Sequence, residues 1–155
     1  MDKGVRLGVD VGSVRIGIAA SDPDGIMAFP VETVPTGDGD ADRVAAIASD
    51  RQAVTIFVGL PRTLKGQEGA SATMAEAFAR RVAELTTADV RLVDERFSTS
   101  TASRALTGAG KSARSQRQII DQAAAVVILE AALDIDRNGN LGKVTKRIPR
   151  EGNDD

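Results

Sequence analysis

The sequence predicts an α/β fold: a mixed sheet with helices on its faces. Three observations lead there. Strand-like runs at Arg6–Val11, Arg15–Ala20 and Met27–Val34 come first, and strands alternate with helices from residue 40 onward. The length of 155 residues, 42% of them hydrophobic, suits one core and is too short for two large lobes.

Each element has a local reason. Arg6–Val11 and Arg15–Ala20 flank a turn near Gly12–Ser13, and both are rich in β-branched residues. Asp40–Asp42 are placed to cap a helix over Arg43–Ser49. The apolar run Val54–Gly59 reads as a strand stopped by Pro61. Ser71–Leu85 is the clearest amphipathic helix, because Met74, Phe78, Val82 and Leu85 recur at helical spacing. Val90–Val93 is a short strand. Thr101–Leu106 reads as a brief helix, Thr107–Ser112 as a Gly-containing loop and Ser115–Leu133 as a long helix. No repeat or linker interrupts the chain, so one domain is expected over 1–137, followed by a polar tail over 138–155 that is loose at its end.

Composition excludes whole classes of chemistry. The chain has no His and no Cys. It therefore has no Ser-His-Asp triad, Cys nucleophile, common zinc site or histidine base. Any catalysis must run on Asp, Glu, Lys, Arg and hydroxyls. Four Phe with no Tyr or Trp argue against a platform that stacks bases on aromatic rings. The absence of disulfides fits a reducing compartment. Met1–Gly8 lacks the apolar core of a signal peptide, and no stretch is apolar enough to span a bilayer. The expectation is a soluble cytoplasmic protein with no membrane partner.

The net charge of −2 conceals an asymmetry. Residues 1–95 carry 10 basic and 15 acidic side chains, whereas residues 96–150 carry 10 basic and 4 acidic ones. No acid falls between Arg96 and Ile120, nor between Arg137 and Arg150. A basic C-terminal half points to a polyanion contact on one side, or to a solvated face.

Three acids stand out. Asp10 sits inside the apolar run Leu7-Gly8-Val9-Asp10-Val11-Gly12, where its neighbours fit a buried central strand. Glu95 follows Arg91-Leu92-Val93-Asp94 at the end of another strand. Asp121 opens Asp121-Gln122-Ala123-Ala124-Ala125-Val126-Val127, a helix apolar nearly all round. Taken singly, each also fits a structural role: a turn residue, a surface ion pair, a solvent-facing position near a helix start. A buried carboxylate needs a partner or a cation. Three of them on separate core elements could converge on hard divalent ions, Mg²⁺ or Mn²⁺.

The wording around these acids resembles one family. Gly8-Val9-Asp10-Val11-Gly12-Ser13-Val14-Arg15-Ile16-Gly17-Ile18-Ala19 is similar to the opening motif of the YqgF/RuvX family. Val58-Gly59-Leu60-Pro61 with Gly66, Asp94-Glu95-Arg96-Phe97-Ser98-Thr99 and Asp121-Gln122-Ala123-Ala124-Ala125 follow in the family's order. The resemblance implies a ribonuclease-H-like fold: a mixed sheet of three antiparallel strands and then α/β alternation, flanked by helices. It also implies that Asp10, Glu95 and Asp121 are the catalytic, metal-binding acids of a two-metal-ion nuclease, with two divalent ions about 4 Å apart clamping the phosphate. Arg15 and Arg96 could neutralise phosphate oxygens, though Arg96 could equally pair with Asp94. Ser98, Thr99, Arg104, Lys111, Arg114 and Arg117 complete the expected nucleic-acid contacts. Arg114 and Arg117 are three apart, so a helix brings them to one face.

Two other motifs are decoys. Gly108-Ala109-Gly110-Lys111-Ser112 ends like a phosphate-binding loop, but Ala105 stands where that loop needs Gly, and a helix-like stretch precedes it. Asp10-x-Gly12 with Gly17 resembles a phosphate motif of actin-like sugar kinases, whose second lobe this length cannot supply. The expected activity is metal-dependent hydrolysis of phosphodiesters in structured nucleic acid. The substrate is a ribosomal RNA precursor trimmed near the 5′ end of 16S rRNA, or a four-way DNA junction. Junction resolution would require a homodimer. The reading from another class is a transcription or ribosome-assembly factor that keeps the fold and cleaves weakly.

Overall fold

The computed structural model describes residues 3–61, 69–94, 113–139 and 145–149, with the side chains of the third segment described from Gln122 onward. Strands β1 (Val5–Val11), β2 (Arg15–Ser21) and β3 (Ala28–Pro35) come first, then helix α1 (Asp40–Asp50) and strand β4 (Ala53–Leu60). Helix α2 (Ala70–Leu85), strand β5 (Asp89–Asp94), helix α3 (Ala113–Arg137) and strand β6 (Thr145–Arg147) follow. The strands form one mixed sheet in the order β3-β2-β1-β4-β5-β6. β1, β4 and β5 run parallel, and β2, β3 and β6 join antiparallel to their neighbours. The expected mixed sheet with flanking helices is therefore what the chain builds.

Strand alternation sorts the side chains into two layers. Leu7, Val9, Ile16, Ile18, Ile56, Val58, Val90 and Leu92 face α1 and α2, where Val44, Ile47, Phe78 and Val82 pack on them. On the opposite face, Ala19, Phe57 and Val93 meet Ala125, Leu129, Ala132 and Leu133 of α3. Phe57 is fully buried there. Among the described residues, no helix is long and apolar enough to cross a membrane.

Several local readings change. Asp40 is the first residue of α1 and not its cap, because Gly39 takes that position with φ at 84°. The Asp40 carboxylate instead accepts the Gly37 N–H at 3.1 Å, and Arg81 of α2 lies 3.5 Å from it. Leu85, expected on the buried face of α2, is 49% exposed at the helix end. The stretch after 137 reads as polar, yet Thr145–Arg147 pairs with β5. Ile148 beyond it is buried, and its N–H donates to the Val90 carbonyl at 2.8 Å. One buried residue on either side of Lys146 and Arg147 is too short an alternation to mark a strand. The helix read over 101–106 and the loop read over 107–112 lie outside the described residues.

The hairpin between β2 and β3 is held by one carboxylate. Asp22 accepts the N–H groups of Asp24, Ile26 and Met27 at 3.1, 2.9 and 2.8 Å. The Met27 bond above all holds its carboxyl below the usual aspartate range. Glu32 is likewise lowered, by hydrogen bonds from Arg43 at 2.7 and 2.8 Å. Depressed native values mean that the unfolded chain takes up protons first as pH falls. This stability is full at neutral pH and is lost from about pH 4 downward. Acid titration of thermal stability should therefore show a shallower acid limb in Asp22→Asn and Glu32→Gln than in the wild type.

Candidate active site on the α3 face of the sheet

Gly8 decides how the site is built. A Cβ at this position would stand 2.7 Å from the Ala125 carbonyl oxygen and 2.7 Å from the Leu129 Cβ. Only a residue without a side chain lets α3 lie so close to β1. Gly8 therefore faces α3, and Asp10, two residues on, shares that face about 7 Å further along the strand. The odd positions Leu7, Val9 and Val11 fill the opposite core. This explains a carboxylate inside an apolar strand: Asp10 is half-buried on the side where the helix comes down.

Three contacts fix the direction of α3. Arg6, at the start of β1, lies 3.7 Å from the Asp136 carboxylate near the helix end. Gly8 meets the middle of the helix at Ala125 and Leu129. Gln122 donates from Nε2 to the Thr33 Oγ1 of β3 at 2.9 Å. Thr33 pairs with Gly17, and Gly17 pairs with Asp10. The helix thus runs antiparallel to β1, and its residue 122 reaches the row of Asp10. Residue 121 is the adjacent helical position, one turn before Ala125.

Two cross-strand neighbours of Asp10 are glycines. Gly17 stands beside it on β2. On β4, Gly59 is one position beyond the Val9–Val58 pair and so flanks it on the other side. The positions directly across from Asp10 on both neighbouring strands therefore carry no side chain. The family-like Val58-Gly59-Leu60-Pro61 stretch acquires a physical meaning here: Gly59 is the small neighbour of Asp10.

Arg15 is set by the tight turn between β1 and β2. The Gly12 N–H donates to the Arg15 carbonyl at 2.9 Å. A Cβ on Gly12 would lie 2.5 Å from that oxygen, so the turn closes only with glycine. Thr36 clamps the same turn from the end of β3: its hydroxyl donates to the Gly12 carbonyl at 2.8 Å, and its N–H to the Val14 carbonyl at 3.0 Å. By alternation from Gly17, Arg15 lies on the Asp10 face. Asp94 closes β5 on the other side. It is buried and pairs with Leu60, a residue of the α1–α2 core.

Of the acids singled out in the sequence, the structure places Asp10 in full and Asp121 by its helical backbone. Glu95, Arg96, Ser98, Thr99, Arg104 and Lys111 lie outside the described residues. Arg114 and Arg117 share with Asp121 one continuous helix. Among the described residues, no three ligating side chains come together. Sequence reasoning missed Thr33 and Gln122, because their partnership spans 89 residues and neither type signals chemistry.

A family model described as "RuvX: Holliday junction resolvase" matches residues 4–135. The chain belongs to the RuvX family. A RuvX relative from Nocardia farcinica is 55% identical over 141 residues, covering 85% of this chain and 78% of its own; its name is "Putative pre-16S rRNA nuclease". One from Thermobifida fusca with the same name is 50% identical and covers 96% of this chain and all of its own. Among solved structures, Thermus thermophilus RuvC in complex with a Holliday junction substrate is similar with a TM-score of 0.57. The two are 16% identical over 94% of this chain and 99% of that one, a likeness that shows the RuvC-like, ribonuclease-H-like fold. The RuvX family is one of nucleases.

Proposed function

We propose that this RuvX chain is a divalent-metal-dependent endonuclease that hydrolyses phosphodiesters in structured RNA, its substrate being the 5′ region of pre-16S rRNA. One observation carries the reading. An acid on the central strand, flanked by glycines, shares a row of the sheet with the helix turn that bears a second acid. The names of the relatives support the RNA substrate. Asp10, Glu95 and Asp121 would hold two Mg²⁺ or Mn²⁺ ions. Their oxygen-only, anionic donor set suits hard cations, and the glycines beside Asp10 leave room for them. Once bound, such ions supply the positive charge that activates water and shields the phosphate. The remaining work falls to the chain. Asp10 orients from a rigid strand, and Arg15 presents a guanidinium to phosphate oxygens from a turn clamped by Thr36. No side-chain base is required, consistent with a protein lacking histidine.

The family model's own description favours Holliday junction resolution as the second reading. A cleavage panel separates the two. Pre-16S rRNA, plain duplexes and four-way DNA junctions are offered with Mn²⁺ to the wild type and to Asp10→Asn. Cleavage of the precursor by the wild type alone supports the proposal. Cleavage of junctions in preference to RNA replaces it with the second reading, which also requires a homodimer.

The basic stretch before Asp121 gives a further expected result. If Lys111, Arg114 and Arg117 contact phosphates, changing all three to Ala flattens the slope of log affinity against log salt by about two units. Binding to every substrate weakens alike. An unchanged slope in the triple variant assigns the phosphate contact elsewhere, with Arg137–Arg150 the next candidate.

A further inference from the structure

We infer that Thr33 and Gln122 are positioning residues, whose hydrogen bond sets the height of residue 121 on the sheet relative to Asp10. The inference rests on the reading of Asp10 and Asp121 as metal ligands and deepens it. The middle of α3 packs through Ala125, Leu129, Ala132 and Leu133 on Ala19, Phe57 and Val93. Such apolar contact is non-directional and fixes separation better than it fixes sliding along the helix axis. The directional contacts lie at the two ends. At the far end, Arg6 meets Asp136, and Arg137 donates to the Gly25 carbonyl at 2.8 Å. At the site end, the Gln122–Thr33 bond joins the residue next to Asp121 to the strand row that holds Asp10.

Thr33 is two strands away from Asp10, and the strand between them contributes Gly17 at this row. An amide in a helix of alanines and valines, half-buried and bonded across 89 residues, is a register device more than a solubilising one. Metal affinity is sensitive to such outer contacts, because they hold the ligating residues in place.

The test uses Mn²⁺ alone, titrated by calorimetry into the full chain, with metal-free thermal unfolding measured alongside. Thr33→Val removes the hydroxyl and keeps the shape. It should weaken Mn²⁺ binding about 10- to 100-fold, while metal-free Tm falls by only about 2–4 °C. Thr33→Ser should restore wild-type affinity. Gln122→Ala should match Thr33→Val, and the double variant should be no weaker than either single one. Unchanged Mn²⁺ affinity in Thr33→Val or Gln122→Ala overturns the inference, as do additive losses in the double variant. Asp10→Asn and Asp121→Asn identify which claim has failed. If they lose Mn²⁺ while Thr33→Val keeps it, only the positioning role falls. If they too keep wild-type affinity, the metal-site reading falls and takes this inference with it.

Discussion

Asp10→Asn, Glu95→Gln and Asp121→Asn are each expected to lower metal-dependent cleavage about 1,000-fold or more. A divalent ion contributes several kcal/mol to stabilising charge at the phosphate, and each 1.36 kcal/mol is a factor of ten in rate. On the proposed reading, replacing a ligating carboxylate by an amide removes charge from the site with little change of volume. If the three acids share one site as proposed, the same substitution relieves repulsion between their carboxylates in the metal-free protein. Metal-free Tm should therefore hold or rise in all three variants, which separates lost chemistry from lost folding. The variants test three different elements: β1 for Asp10, the residue after β5 for Glu95, and α3 for Asp121. Full activity in any one of them removes that residue from the site.

Gly8→Val is expected to produce the largest loss of stability. Even the first carbon of a side chain there falls 2.7 Å from both a backbone carbonyl and the Leu129 Cβ, neither of which can swing aside. Overpacking a filled core costs about 1–3 kcal/mol. A valine at this joint should reach the upper end of that range, lowering Tm by about 6–12 °C in a chain of this size. Gly8→Ala should show a smaller loss in the same direction. Because α3 must lift from β1 to make room, residue 121 moves away from the Asp10 row, and Mn²⁺ affinity should fall in both variants. A Gly8→Val protein with wild-type Tm and metal affinity would show that α3 does not rest on β1 as described.

Parts of this arrangement are legible in the sequence because their causes are local. The spacing of Met74, Phe78 and Val82 follows from a helix pressing one side on a sheet, and the structure buries Phe78 and Val82 there. Asp10 stands out because a carboxylate in an apolar strand needs a physical reason, and alternation puts that reason on the α3 face. Gly8, Gly12 and Gly17 could be quoted as a motif, but only the structure distinguishes their tasks. Gly8 admits a helix, Gly12 closes a turn, and Gly17 stands between Asp10 and Thr33. The β6 pairing and the Thr33–Gln122 bond are not legible, since each joins residues more than fifty positions apart, one through the backbone and the other through side chains of ordinary type. Local pattern reports periodicity and cannot report which distant polar group will lie opposite.

Three acids from separate elements are proposed to form one metal centre. A crystal structure of the full chain with Mn²⁺, read by anomalous difference density, tests it most directly. Manganese peaks are expected on the α3 face of the sheet, with carboxylate oxygens of Asp10, Glu95 and Asp121 within about 2.0–2.4 Å of the ions. Manganese bound elsewhere, or bound to Asp10 without Glu95 and Asp121, would contradict it.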